Sequence, residues 1–192
     1  MAAIMEFIRL DAHLPTPIRG RYTYSPSTAE TSRDAAGAGG RRYFQLLAEI
    51  EVSGDATGVI CSQQSRCGGY SLLLRDGALI FVHVAADATG ERLECDAPSL
   101  GKHIVGVEFT RKGRGRRAAR GAVTLSVDGR TTSVAPVATL PTRFAPCGDA
   151  LWIGCDGPRG ARRTHRSPDP LTDARVIEIV FDVCEDAVAL HA

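Results

Sequence analysis

The sequence predicts an all-β domain, a two-sheet antiparallel sandwich, and three observations carry that reading. Short runs in which apolar and polar residues alternate recur from Tyr43 to Val183, with the period of two that a half-buried strand requires. Turn signals separate the runs. Two of them, Asp76-Gly77 and Asp128-Gly129, have the chemistry of a two-residue type I′ hairpin. The 20 glycines and 10 prolines among 192 residues are spread along the chain, as many short elements joined by turns require, and a 44% hydrophobic content supplies one core.

Residues 1–42 alternate weakly and contain Leu14-Pro15-Thr16-Pro17 and an Ala/Gly-rich stretch at 35–40, so they read as an arm packed on the domain, with a short helical turn near residues 2–10. The pattern sharpens at Tyr43. Phe44, Leu46, Ala48, Ile50 and Val52 fall on one face, and Gln45, Glu49 and Glu51 on the other. Further strands are expected at 57–63, 70–75, 78–84, 92–96, 102–111, 122–127, 131–135, 150–154 and 175–183. Val105, Val107 and Phe109 share one face of their run, and Ile177, Ile179, Phe181 and Val183 share one face of theirs. Both runs read as core strands. The sandwich is thus expected over 43–184, with a tail at 185–192 and no second domain.

A net charge of +1 excludes a strongly polyionic chain. No apolar run approaches the roughly 20 residues of a membrane-spanning helix, and the first residues have no signal-peptide pattern, so the expected location is the cytoplasm. In that compartment the six cysteines, Cys61, Cys67, Cys95, Cys147, Cys155 and Cys184, read as reduced thiols. None forms a C-x-x-C pair. A zinc site from Cys61, Cys67, Cys147 and Cys155 lacks zinc-finger spacing, and no metal or cofactor is expected.

No catalytic motif is present: no G-x-S-x-G, no H-E-x-x-H and no glycine-rich phosphate loop. Glu49-Ile50-Glu51 has the spacing of a paired-carboxylate glycosidase strand, but Val52-Ser53-Gly54 follows where a further acid is needed, so it reads as a solvated strand face. The run from Arg111 to Arg120, with Arg114, Arg116, Arg117 and Arg120, reads first as a solvated hairpin loop and second as a polyanion contact. A second basic cluster spans Arg159 to Arg166. Without interleaved aromatics, neither favours nucleic acid. Phe81 and His83 share a strand face, and with Trp152 they are candidates for stacking on a sugar ring should that face be the concave one. Their structural role as core residues is the alternative.

The order of segments also resembles the C-terminal domain of bacterial arylsulfatases. The resemblance runs over about residues 20–183. It is carried by Arg21-Tyr22-Thr23-Tyr24-Ser25-Pro26, by the strand from Arg42 to Val52, and by Cys67-Gly68-Gly69-Tyr70-Ser71-Leu72 followed by the Asp76-Gly77 turn. Gly101-Lys102-His103, Val123-Thr124-Leu125-Ser126-Val127-Asp128-Gly129 and Ile153-Gly154-Cys155-Asp156 complete it. The resemblance implies a concanavalin A-like, laminin-G-type jelly roll that normally follows a sulfatase catalytic domain. The formylglycine motif C/S-x-P-x-R is missing; in Cys155-Asp156-Gly157-Pro158-Arg159 the proline stands one place late. A non-catalytic accessory domain is therefore expected, with a separately encoded sulfatase catalytic domain or glycans as partners and Asp156 as a further candidate glycan contact. A structural domain without a small ligand is the remaining alternative.

Overall fold

The computed structural model describes residues 19–24, 43–65, 68–85, 90–112, 119–139, 151–155 and 170–184. Ten strands are found there and no helix: β1 Arg19–Tyr24, β2 Tyr43–Ser65, β3 Gly68–Arg75, β4 Ala78–Ala85, β5 Gly90–Asp96, β6 Gly101–Lys112, β7 Ala119–Val127, β8 Arg130–Thr139, β9 Leu151–Ile153 and β10 Thr172–Cys184. All pairings are antiparallel. Sheet A has the order β1-β10-β2-β6-β7-β8, and sheet B the order β9-β2-β3-β4-β5.

Strand β2 belongs to both sheets. Its first part, Tyr43 to Val52, pairs with β6 and β10, and its second, from Gly58, pairs with β3 and β9. The sequence pattern divides it into two strands because alternation lapses at Ser53-Gly54-Asp55, where the chain passes from one sheet to the other. Gly58 lies just past that passage at φ 115°, and the ladder skips a residue between Val59 and Cys61. Ile60 is the extra residue of this bulge, so Ile60 and Cys61 both enter the core.

One core lies between the sheets, as a sandwich requires. Sheet A contributes Leu46, Ala48, Ile50, Val105, Val107, Phe109, Leu125 and Ile179, and sheet B contributes Ile60, Leu72, Leu74, Leu79, Phe81 and Leu93. Each fully buried large side chain among them contributes on the order of 2 kcal/mol. A second cluster, Val59, Leu73, Ile80, Val82 and Val84, is buried on the other face of sheet B. Sheet B is therefore buried on both faces, which is why β4 reads as a nearly unbroken apolar run.

Both Asp-Gly hairpins form as the sequence predicts. Asp76 and Gly77 have φ of 51° and 73°, and Asp128 and Gly129 have 49° and 73°, the paired positive values of a type I′ turn. Strand β1 was not among the expected strands. It is six residues long, and among its described side chains only Tyr24 is buried, so little pattern announces it. It forms one edge of sheet A by pairing with β10 from Arg19↔Cys184 to Tyr24↔Ile179. The short turn expected near residues 2–10 lies outside the described residues.

Candidate functional site

The register of sheet B separates the candidate sugar-stacking side chains. Phe81 pairs with Leu72 and Leu93, and His83 pairs with Tyr70, so both face the core between the sheets. Phe81 is 1% exposed and lies against Tyr70 with ring centroids 6.1 Å apart. His83 is 8% exposed. Trp152 pairs with Ser62, which pairs in turn with Ser71 opposite Val82, on the other face of the sheet. The three do not form one platform: Phe81 and His83 are core residues, and only the half-buried Trp152 retains access to a ligand. Alternation identifies the residues that share a face, but not which face turns inward, when both are apolar.

Burial governs the chemistry of this interior. It lowers the His83 pKa to about 4, keeping the ring neutral, and pushes the Cys61 thiol up to about 12. The Tyr70 hydroxyl is raised well above its ordinary value, chiefly by burial. Cys61, Cys95 and Cys155 form no disulfide, and among the described residues no three metal-ligating side chains gather. Cys67 and Cys147 lie outside the described residues. Glu49 and Glu51 lie half-buried on the outer face of sheet A, where Glu51 is bonded by Arg175 through Nε at 2.7 Å and Nη2 at 2.5 Å. Ser71 is fully buried.

The basic run connects β6 to β7, whose last ladder pairs are Arg111↔Gly121 and Lys112↔Arg120. Arg114, Arg116, Arg117 and Asp156 lie outside the described residues. Register adds basic positions that linear spacing does not reveal. Thr110 pairs with Tyr43, Tyr43 with Cys184, and Cys184 with Arg19, so Arg19 and Arg21 of β1 occupy the same end of sheet A as Arg111, Lys112 and Arg120. Basic positions from the start and the middle of the sequence thus converge there. The other basic cluster, Arg159 to Arg166, lies outside the described residues; of the described residues before and after it in sequence, the Leu171 amide donates to the Gly154 carbonyl (3.0 Å) next to the start of β10, at the opposite end of sheet A.

At that opposite end the structure assembles three residues that no sequence motif joins. His103 Nδ1 lies 2.8 Å from Asp128 Oδ2, and Ser99 Oγ lies 3.4 Å from His103 Nε2. A carboxylate only accepts, so the imidazole donates from Nδ1. The Ile104 amide also donates to Asp128 Oδ1 (2.9 Å), and the Asp128 amide donates to the Ile104 carbonyl (2.8 Å). The bond from His103, and after it that from Ile104, holds the Asp128 carboxyl below its ordinary range. Asp128 thereby extends the β6–β7 ladder by one residue beyond Val105↔Val127. Ser99 and His103 are 4 residues apart, but Asp128 lies 25 residues beyond His103, too far for spacing to suggest this cluster.

Among solved structures, the chain superimposes on botulinum neurotoxin receptor-binding domains. A structure from work on botulinum neurotoxin type C, whose cell entry is described as dependent upon interaction with two ganglioside molecules, is matched over 88% of this chain and 40% of its own length with a TM-score of 0.53 and 9% identity. The fold is shared. The F1240A mutant of HCR/D is matched over 86% of this chain and 39% of its own length with a TM-score of 0.50 and 12% identity. Domains LG4-5 of the mouse laminin alpha1 chain match 86% at 18% identity with a TM-score of 0.48. The chain spans about a third to two fifths of the length of the first solved structures it matches. No protein-family model matches the sequence, and no curated protein sequence matches it. At these identities the likeness describes the jelly-roll architecture alone.

Proposed function

We propose that the chain is a non-catalytic binding domain whose ligand is a polyanionic, sulfated glycan, held at the end of sheet A where β6 meets β7. The observation that carries this reading is the ladder register that brings Arg19, Arg21, Arg111, Lys112 and Arg120 to one end of one sheet, beside the segment containing Arg114, Arg116 and Arg117. A chain of nearly balanced charge has no general surplus of cations, so local concentration of positive charge points to an anionic partner. The half-buried Trp152, together with Asp156, remains a candidate for a separate glycan contact through stacking and hydrogen bonding.

Calorimetry with neutral and sulfated oligosaccharides at two salt concentrations tests the proposal. Sulfated ligands bind, and affinity falls steeply with salt because counterions are released on binding. Replacing Arg114, Arg116 and Arg117 together by Ser reduces affinity by about tenfold or more, at roughly 0.5–1 kcal/mol per charge. Affinity unchanged by these substitutions, or silence toward every sulfated ligand, sinks the reading. The ordered resemblance to the arylsulfatase tail supports a second partner, a separately encoded sulfatase catalytic domain. Copurification of such a subunit with the tagged chain from its native host tests that partnership, and its absence counts against it.

A further inference from the structure

We propose that Ser99 is an activated nucleophile, an acyl-acceptor site in which His103 is the base and Asp128 the positioning residue. This goes beyond the anionic-ligand reading and is independent of it, because the cluster stands at the opposite end of sheet A from Lys112 and Arg120. The clasp between the strands needs only Asp128, the Ile104 amide and one nitrogen of His103. With Nδ1 donating to the carboxylate, the neutral ring is fixed in the tautomer whose Nε2 carries a lone pair. The Ser99 hydroxyl faces that nitrogen at 3.4 Å, a separation of the loose kind that tightens when a substrate engages.

Access and anchoring support the assignment. Ser99 is exposed, as a reacting group must be, whereas the His103 side chain is only 15% exposed and so is held in one orientation. The segment carrying Ser99 is tied to the Asp76-Gly77 hairpin by the Ala97 amide donating to the Gly77 carbonyl (2.8 Å). Leu100, 69% exposed, lies beside the serine and offers an apolar surface to an acyl chain. The ligand class is therefore an activated ester with an apolar acyl group. Ser99 Oγ attacks the carbonyl carbon, the Oγ–C bond forms, and the hydroxyl proton passes to His103 Nε2. The ester C–O bond breaks, and the proton leaves on the departing alcohol. The product is an acylated Ser99; turnover is not part of the proposal.

The test uses the full chain with a fluorophosphonate probe, the modified residue being located by peptide mass spectrometry. Ser99 is labelled at least tenfold faster than the exposed Ser53. Ser99→Ala abolishes labelling at that peptide and leaves thermal unfolding unchanged, because the clasp does not include the serine. His103→Gln slows labelling by on the order of a hundredfold, with circular dichroism confirming that the sandwich is retained. Labelling of Ser99 no faster than of Ser53 overturns the proposal. So does a rate at Ser99 that is unchanged in a folded His103→Gln variant.

Discussion

At the scale of single residues, the burial of His83 links the core to solution pH. The folded imidazole titrates at about 4, whereas in the unfolded chain it titrates near 6.5. Its folded pKa is lowered, so the unfolded state takes up the proton first as pH falls. Stability is full above about 6.5 and declines between there and about 4, by roughly 3 kcal/mol over the window. Urea unfolding at pH 7 and pH 4.5 should show this loss, and His83→Gln should flatten it. A variant with the wild-type slope would assign the dependence elsewhere. Gly121 makes a second demand on single-atom space. A Cβ there would enter the Phe109 ring, 2.6 Å from Cζ, and sit 2.9 Å from the Thr110 carbonyl oxygen. Gly121→Ala should lower stability by about 1–3 kcal/mol, read as a shifted denaturation midpoint. Neither effect is legible in the sequence, because period-two alternation places Phe81 and His83 on a common face without naming that face as the interior. Trp152 shows the converse, a large aromatic whose register puts it on the other face from Phe81.

Elements were far more legible than contacts. Asp76-Gly77 and Asp128-Gly129 could be read directly, because few dipeptides tolerate two successive positive φ values. The continuity of β2 could not, since the sequence loses its alternation just where the strand changes sheets. Gly58 marks that passage in energetic terms. Its φ of 115° is reserved for glycine, and a Cβ would strike the Pro170 carbonyl oxygen and lie 2.7 Å from Leu171 Cα, both backbone atoms that cannot swing aside. Gly58→Ala should therefore destabilise by on the order of 3 kcal/mol, and an unchanged melting temperature would refute that account. The β6–β7 clasp makes a milder, pH-dependent contribution. The Asp128 carboxyl is held below its ordinary range, so its stabilisation is full above the unfolded carboxylate pKa and is lost as pH falls through the lowered folded value. Asp128→Asn should remove this acid-side loss, measured as the difference in thermal midpoint between pH 5 and pH 3.

For the molecule as a whole, the sandwich class follows from the spacing of strands and turns, whereas the arrangement of charge follows only from pairing. Arg19 and Arg21 precede the basic run by most of the first half of the chain, and they reach its end of sheet A through β10. Strand β10 lies between β1 and β2, two strands synthesised long before it. On the ribosome, therefore, neither early strand has its native neighbour on that side until β10 emerges. The ladder edge of β2 from Tyr43 to Val52 stays open throughout, a template for any other extended chain that passes. A chain terminated at residue 171 should accumulate as aggregate rather than as a smaller folded domain, as judged by sedimentation. Closure of sheet A is in that sense a matter of timing: the nascent sheet waits for β10, and an early release leaves the gap unfilled.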